Sequence, residues 1–314
     1  LEEHPLSTPP PGRGHHDTQL RNGLVAGVSA YLLWGLLTVY WKLLGDFPPF
    51  ELIGWRILAS FVMLGILVGA QGRLRSIVRS AFSRDVGPRI AAAAILVTVN
   101  WSSYVWAVSN DHVIETALGY FMAPLGTMWL GVVVLKEKLR AAQKITVVLA
   151  GAAIVILTFG YGQFPFVALL IAGSWSLYGL LKRQVPMTSL DSLAAEMFWL
   201  VLPAAILAIT QSSLADSATD TASAGEWILI ILTGAVTIVP LVMFGYAAQR
   251  VPLTVLGPLQ YSVPTINFLL GWLAYDEELD ATRVAGFAMI WIALVVLALD
   301  TARRNTPAAR RAKR

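Results

Sequence analysis

Apolar stretches of about twenty residues recur along this chain from residue 24 to residue 299, and no other feature restricts the possible folds as severely. A helix crosses the roughly 30 Å hydrocarbon core of a bilayer with about 20 mostly apolar residues. One or two such stretches would make an anchor; here they fill most of the 314 residues. Only 13% of residues are charged and 56% are hydrophobic, where a soluble domain carries roughly 25% charge. Inside hydrocarbon every backbone N–H and C=O must find a partner within the protein. Helices satisfy that demand segment by segment, so an all-α integral membrane protein is expected. Ten transmembrane helices are predicted, at 23–44, 50–70, 88–108, 115–135, 143–160, 165–182, 192–210, 227–248, 253–275 and 283–300. Asp46-Phe47-Pro48-Pro49 reads as a tight turn, Gly87-Pro88 as a helix start, and Gly160-Tyr161-Gly162 with Pro165 as the central joint.

The charges that remain are sorted by side. If the N-terminus is cytoplasmic, the inside segments hold Arg13 and Arg21, Arg73 to Arg84, Lys136 to Lys144, Lys182 and Arg183, Arg250 and the basic tail. The outside loops hold Asp46, Asp111, Asp216, Asp220, Glu226 and the run Asp276-Glu277-Glu278, with almost no Lys or Arg. Basic residues collect on the cytoplasmic side. A multi-pass protein of the cell inner (plasma) membrane with both termini cytoplasmic is therefore expected. The same rule accounts for the net charge of +4, and no nucleic-acid partner is expected. Residues 1–22 read as a disordered tail, and 301–314 as a basic tail whose neighbour is anionic membrane lipid.

The chain also repeats itself. At an offset of 140 residues, Glu137 aligns with Glu277, Leu139 with Leu279, Pro124 with Pro264, and Arg56 with Glu196. Five helices per half would make the halves face opposite ways, and the loop charges agree: 136–144 is basic and 276–283 acidic. The predicted organisation is two inverted five-helix repeats, 23–160 and 165–300. Inverted repeats with a site near the bilayer midplane are a transporter design.

Short runs carry a more specific likeness. Tyr31-Leu-Leu-Trp-Gly, Asn100-Trp-Ser-Ser-Tyr-Val-Trp-Ala-Val, Leu118-Gly-Tyr-Phe-Met-Ala-Pro-Leu, Tyr178-Gly-Leu, Glu196 and Gly257-Pro-Leu-Gln-Tyr-Ser-Val-Pro-Thr occur in order over residues 22–300. In these the chain resembles RarD-type permeases of the EamA branch of the drug/metabolite transporter superfamily. The resemblance implies ten helices, two EamA-type halves and transport of a small molecule. One departure is Met122-Ala123, where the family has a polar Asn before the proline; it alters the lining there.

Candidate binding residues follow from helix faces. Tyr120, Pro124 and Thr127 share one face at i, i+4, i+7, and their repeat partners Gln260, Pro264 and Asn267 do the same. Proline leaves a carbonyl unbonded four residues back, and in a membrane that carbonyl needs a partner or a wet cavity. Two readings fit: these polar groups line a central cavity, or they bond across a helix interface. Asn100, Trp101 and Tyr104 add an amide and aromatic face; Tyr261 lies in the Gly257–Thr265 run; Tyr31, Trp34, Trp175 and Tyr178 come from the first helix of each half. Trp41, Trp199 and Trp227 read as interface residues.

Arg56 and Glu196 are the charges farthest inside predicted helices. Charge in hydrocarbon is costly and is a functional hypothesis by default. Each is a candidate substrate or coupling charge, with snorkelling to the interface as the alternative. Glu115 is a candidate partner for Arg56, and Lys182 or Arg183 for Glu196.

Enzymatic and metal motifs do not stand out. There are no cysteines, Ser109, Asp111 and His112 are too close in sequence to form a converging triad, and His4, His15 and His16 lie in the tail. No catalytic residue, metal site or cofactor is predicted. The expected function is a secondary transporter moving a small organic solute, metabolite or drug-like molecule by alternating access, with proton coupling as one energy source. The alternative is a membrane-embedded enzyme acting on a lipid-linked substrate.

Overall fold

The computed structural model of the chain describes residues 13–110, 112–161, 164–214, 216–274 and 281–305. They form thirteen helical segments: α1 (Arg13–Lys42), α2 (Pro49–Ala70), α3 (Leu74–Ala81), α4 (Gly87–Ser109), α5 (Val113–Val133), α6 (Ala141–Tyr161), α7 (Phe166–Gln184), α8 (Ser189–Gln211), α9 (Ala218–Thr221), α10 (Ala224–Arg250), α11 (Leu253–Leu259), α12 (Ser262–Ala274) and α13 (Ala281–Asn305). Among the described residues, six stretches are long and apolar enough to cross a membrane: Thr18–Lys42, Pro49–Ala70, Gly87–Val108, Glu115–Val133, Ser189–Gln211 and Ala224–Arg250. Ala141–Ile156 and Phe287–Leu297 are shorter apolar helices. Large apolar side chains such as Ile66, Phe159, Leu202 and Ile209 point outward, as a lipid-facing surface requires.

Helix starts are fixed locally. Pro49 and Pro88 sit in the first turns of α2 and α4, where a missing N–H costs nothing. Thr188 Oγ1 accepts from the Asp191 N–H at the start of α8. Ser223 and Glu226 bond each other's backbone N–H groups at the start of α10, at 3.3 and 2.7 Å. Three other N-termini are capped from a distance, as buried helix ends need: at α9, the Ala218 N–H donates to Glu51 (2.8 Å). Glu115 accepts from the N–H groups of Val167 and Ala168 at α7 (2.8 and 3.4 Å). Glu137 accepts from Leu253 and Thr254 at α11 (3.0 and 2.8 Å).

The helices pair mainly across the middle of the chain: α5 with α7, α2 with α8, α1 with α10, α4 with α7, α6 with α13, α2 with α10, α11 with α5, α1 with α12 and, less extensively, α4 with α8. Let α1, α2, α4, α5 and α6 exchange places with α7, α8, α10, α11–α12 and α13. This set of pairs then maps onto itself, the pattern a two-fold relation between halves produces. Small residues permit the closest approaches. A Cβ on Gly54 of α2 would lie 2.8 Å from the Ala208 nitrogen of α8, and one on Gly257 of α11 would lie 2.8 Å from the Pro124 carbonyl oxygen of α5. Van der Waals packing of this kind drives helix association in lipid.

Four expectations need correction. The tail predicted over 1–22 is helical from Arg13, because the proline run ends at Pro11 and nothing beyond it stops α1 from extending. The tail predicted from 301 is helical to Asn305. The loop segments 71–87 and 211–225 contain the short helices α3 and α9. The single helix predicted at 253–275 is two, broken at Gln260 and Tyr261. Pro258 and Pro264 each remove a donor and crowd the preceding turn. Tighter bonds bridge the break: Gln260 N–H to Gly257 (3.0 Å), Tyr261 N–H to Pro258 (3.2 Å) and Val263 N–H to Gln260 (3.1 Å). Glu277, the repeat partner of Glu137, lies outside the described residues.

Candidate functional site

A cavity of about 440 Å³ lies between the paired helices. On α1, Tyr31, Trp34, Thr38 and Trp41 line it at i, i+3, i+7 and i+10, a single stripe for a period of about 3.6. Arg56 comes from α2, Asn100, Trp101 and Tyr104 from α4, Tyr120 from α5, Trp175 from α7, Thr237 from α10, and Asn267 from α12. Gln260 comes from the break after α11, so the helix interruption itself presents an amide to the cavity. The lining extends to Leu44, Gly45 and Phe47 at the α1–α2 turn and to Val108 in the last turn of α4. Among the described residues, none from the opposite end of the bundle lines it.

The floor is aromatic. Trp34 meets Trp175 edge-on at 5.2 Å, and Phe244 lies 4.8 Å from Trp175 and 5.8 Å from Trp34. Tyr178 stacks on Phe244 at 6.0 Å. Beneath it, Tyr178 Oη donates to Glu196 (3.1 Å) and Lys182 Nζ lies 2.7 Å from the same carboxylate. Ser192 Oγ donates to Glu196 (3.1 Å) and accepts from Lys182 Nζ (2.8 Å). Lys182 and Glu196 are fully buried.

Polar contacts on the walls are mostly between helices. Thr38 Oγ1 donates to Asn267 Oδ1 (2.8 Å), and Gln260 Nε2 donates to Thr127 Oγ1 (2.9 Å). Asn100 Nδ2 donates to the Ile171 carbonyl (2.9 Å). Tyr104 and Tyr120 meet at 5.9 Å. Arg56 places its guanidinium 3.9 Å from the Trp101 ring and 5.3 Å from Trp41.

Nine of the fourteen candidate binding residues line the cavity: Tyr31, Trp34, Asn100, Trp101, Tyr104, Tyr120, Trp175, Gln260 and Asn267; Arg56 joins them. The other five stand behind the walls. Thr127 and its neighbour Ser176 both bond the Ala123 carbonyl, and Pro124 is held against Gly257. Tyr261 Oη donates to the Phe121 carbonyl (3.0 Å), Pro264 is buried in α12, and Tyr178 serves Glu196. Both readings of these faces thus hold in part: the outer turns line the cavity and the inner turns bond across interfaces. Glu196 does not line the cavity and is paired with Lys182. Glu115 is not within ion-pair distance of Arg56; its carboxylate goes to α7 and to His112 at 3.1 Å. Trp41, read from sequence as an interface residue, belongs to the cavity.

Similarity to known proteins bears on this site as a whole. The profile of the EamA-like transporter family matches residues 21–159 and again residues 165–299. The chain belongs to the EamA-like transporter family. Both matches contribute to the lining, the first through Tyr31 to Tyr120 and the second through Trp175 to Asn267. This EamA-family chain is 41% identical over 295 residues to Protein RarD of Streptomyces exfoliatus, covering 92% of this chain and 93% of that one. It is 35% identical to the uncharacterized transporter YojE of Bacillus subtilis (strain 168), covering 88% and 94%. To Protein RarD of Escherichia coli (strain K12) it is 33% identical, covering 90% and 95%. A solved crystal structure shares the fold at a TM-score of 0.69 and 20% identity, covering 88% of this chain and 97% of the other. The chain is thus a multi-pass membrane protein of a transporter family, not of an enzyme family.

Sequence reasoning missed Thr38, Thr237 and Phe244. Thr38 could have been found, since it continues the stripe of Tyr31 and Trp34 by one turn. Thr237 and Phe244 have no comparable signal: both sit in the apolar run of α10, and only packing sets them beside the cavity.

Proposed function

We propose that this EamA-family protein is a secondary transporter carrying a small organic solute across the cell inner membrane by alternating access. The observation that carries the reading is the cavity. Both halves of the chain line it, it reaches one end of the bundle, and an aromatic floor closes the other. Pockets of this size with a few convergent polar groups suit small ligands. Counting α11 and α12 as one interrupted crossing and leaving α3 and α9 at the surfaces gives ten spans in two inverted sets of five. The distribution of Lys and Arg supports cytoplasmic termini, which turns the cavity toward the outside.

In this reading Tyr31, Trp34, Asn100, Trp101, Tyr104, Tyr120, Gln260 and Asn267 bind the solute. Pro124, Thr127, Tyr178, Tyr261 and Pro264 hold the walls. The Lys182–Glu196 pair clasps the cytoplasmic side, together with Arg183, whose Nη1 donates to the Val251 carbonyl at 2.6 Å. Opening inward would part the clasp, and that is the step to which an energy source would couple. No observation favours the lipid-linked enzyme, and the family is one of transporters.

The test is solute uptake by the purified protein in liposomes. Saturable uptake and counterflow of at least one solute that also stabilises the protein thermally are expected, since a ligand bound to the native state raises apparent stability. A solute that stabilises the protein strongly yet never crosses would sink the transport reading in favour of a binding or catalytic one.

A further inference from the structure

We propose that the solute is an organic anion, held by its carboxylate on the edge of Arg56. This deepens the transporter reading and rests on it. Among the described residues, Arg56 is the one fully charged side chain in the lining, and no Asp or Glu shares the cavity. Among the described residues no carboxylate lies within 4.0 Å of it. Arg56 Nε is buried and makes no hydrogen bond there. Ring contacts with Trp101 and Trp41 engage the guanidinium, but they supply no acceptor for its N–H groups. A cation withdrawn from bulk water without a partner is costly. The planar fork of a guanidinium matches the two oxygens of a carboxylate.

A second observation points the same way. Among the described residues, Arg56 Nε, Thr237 Oγ1, Arg73 Nε and Asp191 Oδ1 are buried side-chain atoms without hydrogen-bond partners. The last two belong to one ion pair, at 2.8 Å. The first two line the cavity, and each carries a hydrogen to donate. Thr233, one turn earlier on α10, bonds the Ile230 carbonyl, whereas Thr237 leaves its hydroxyl unbonded. Native proteins rarely bury such groups unsatisfied. Unmatched donors in a cavity call for a ligand rich in acceptors. The aromatic walls of Trp34, Trp101 and Trp175 supply the rest of the specificity, an apolar or planar body. A cationic solute would meet Arg56 with no counter-charge, and a neutral one would leave that cation unpaired.

The test is equilibrium binding of charge-matched sets to the purified full chain at neutral pH. One set is hydrocinnamate, its primary amide and the amine of equal length; parallel sets carry naphthyl and cyclohexyl bodies. In every set that binds, the carboxylate is expected to bind about ten- to a hundredfold tighter than the amide, the worth of a hydrogen-bonded charge. The amine should bind weakest. Arg56→Gln should remove the preference for carboxylate over amide, bringing the two affinities together. Arg56→Lys should keep part of it, since the charge stays and the fork is lost. An amide or amine that binds the wild-type chain as tightly as its carboxylate overturns the anion assignment while leaving a solute site standing. So does an Arg56→Gln variant that keeps the preference. Failure of every member of every set to bind folded protein overturns both readings. The wild-type comparison decides the matter even if the variants do not fold.

Discussion

Removing either member of the buried pair Lys182–Glu196 should destabilise the protein more than removing both. The two side chains are fully buried and 2.7 Å apart. Glu196 also accepts from Tyr178 and Ser192, at 3.1 Å each, and Lys182 has one further acceptor, Ser192, at 2.8 Å. Deleting one partner of a buried pair costs about 3–5 kcal/mol, because the other charge is left uncompensated. Replacing both by apolar side chains of similar size is often neutral or stabilising. Lys182→Met leaves a carboxylate with two hydroxyl donors. Glu196→Leu leaves an ammonium with one hydroxyl acceptor, so it should be the worse of the two. The double variant leaves no buried charge. Apparent melting temperatures of the four purified proteins, taken as a double-mutant cycle, measure this directly. Both single variants should melt several degrees below wild type, and the double variant above either single. If the losses are small and simply add, the pair is not a charge pair withdrawn from water, and the clasp assigned to it fails. Glu196→Gln separates the clasp from coupling. If protons act on Glu196, this variant exchanges solute but does not accumulate it against a pH gradient; if accumulation is intact, the pair is structural only.

Gly257→Val should reduce the yield of folded protein, because a Cβ there would lie 2.7 Å from Met128 Cγ and 2.8 Å from the Pro124 carbonyl oxygen; thermal unfolding of the purified variant is the measure, and unchanged stability would mean that α5 and α11 can part freely. Gln260→Ala and Asn267→Ala should weaken solute binding while costing little stability, since a hydrogen bond between membrane helices averages about 0.6 kcal/mol; if both bind normally, α12 and the break before it do not form the site. Ser213→Cys and Ser76→Cys, on the exposed loop before α9 and on α3, should respectively react and fail to react with an impermeant thiol reagent in intact cells; the reverse pattern would invert the orientation.

Most of the helices could be read from the sequence because hydrophobic length is a local property. The ends that moved did so for local reasons as well: α1 runs back to the last proline of the tail, and α3 and α9 are too short for an apolar-stretch criterion to register. The site was legible where a helix face declares itself. Asn100 with Tyr104, and Tyr31 with Trp34, reveal one face each by their spacing. What the sequence could not settle is which of two polar turns on a face meets the cavity. Tyr120 lines it, while Thr127, two turns on along the same face of α5, is taken up by Gln260 and Ala123. That choice depends on where the partner helix crosses, which is non-local. Arg56 and Glu196 show the same limit. Their repeat positions match, yet one faces a cavity and the other an ion pair.

The divergence between aligned positions has its own consequence for mechanism. At the 140-residue offset, Tyr120 corresponds to Gln260, Phe121 to Tyr261, Thr127 to Asn267 and Leu118 to Pro258. The extra proline is what interrupts α11–α12, while α5 carries Pro124 alone and runs on unbroken. The break frees Gln260 to cross to Thr127, and Tyr261 reaches the carbonyl of its own repeat partner, Phe121. Corresponding residues therefore still meet at the centre, but they meet as donor and acceptor rather than as equals. The cavity built this way is asymmetric: Arg56 and Asn100 line it from the first repeat, and Gln260, Asn267 and Trp175 from the second. A solute with one charged and one apolar end would then have a single favoured orientation in it.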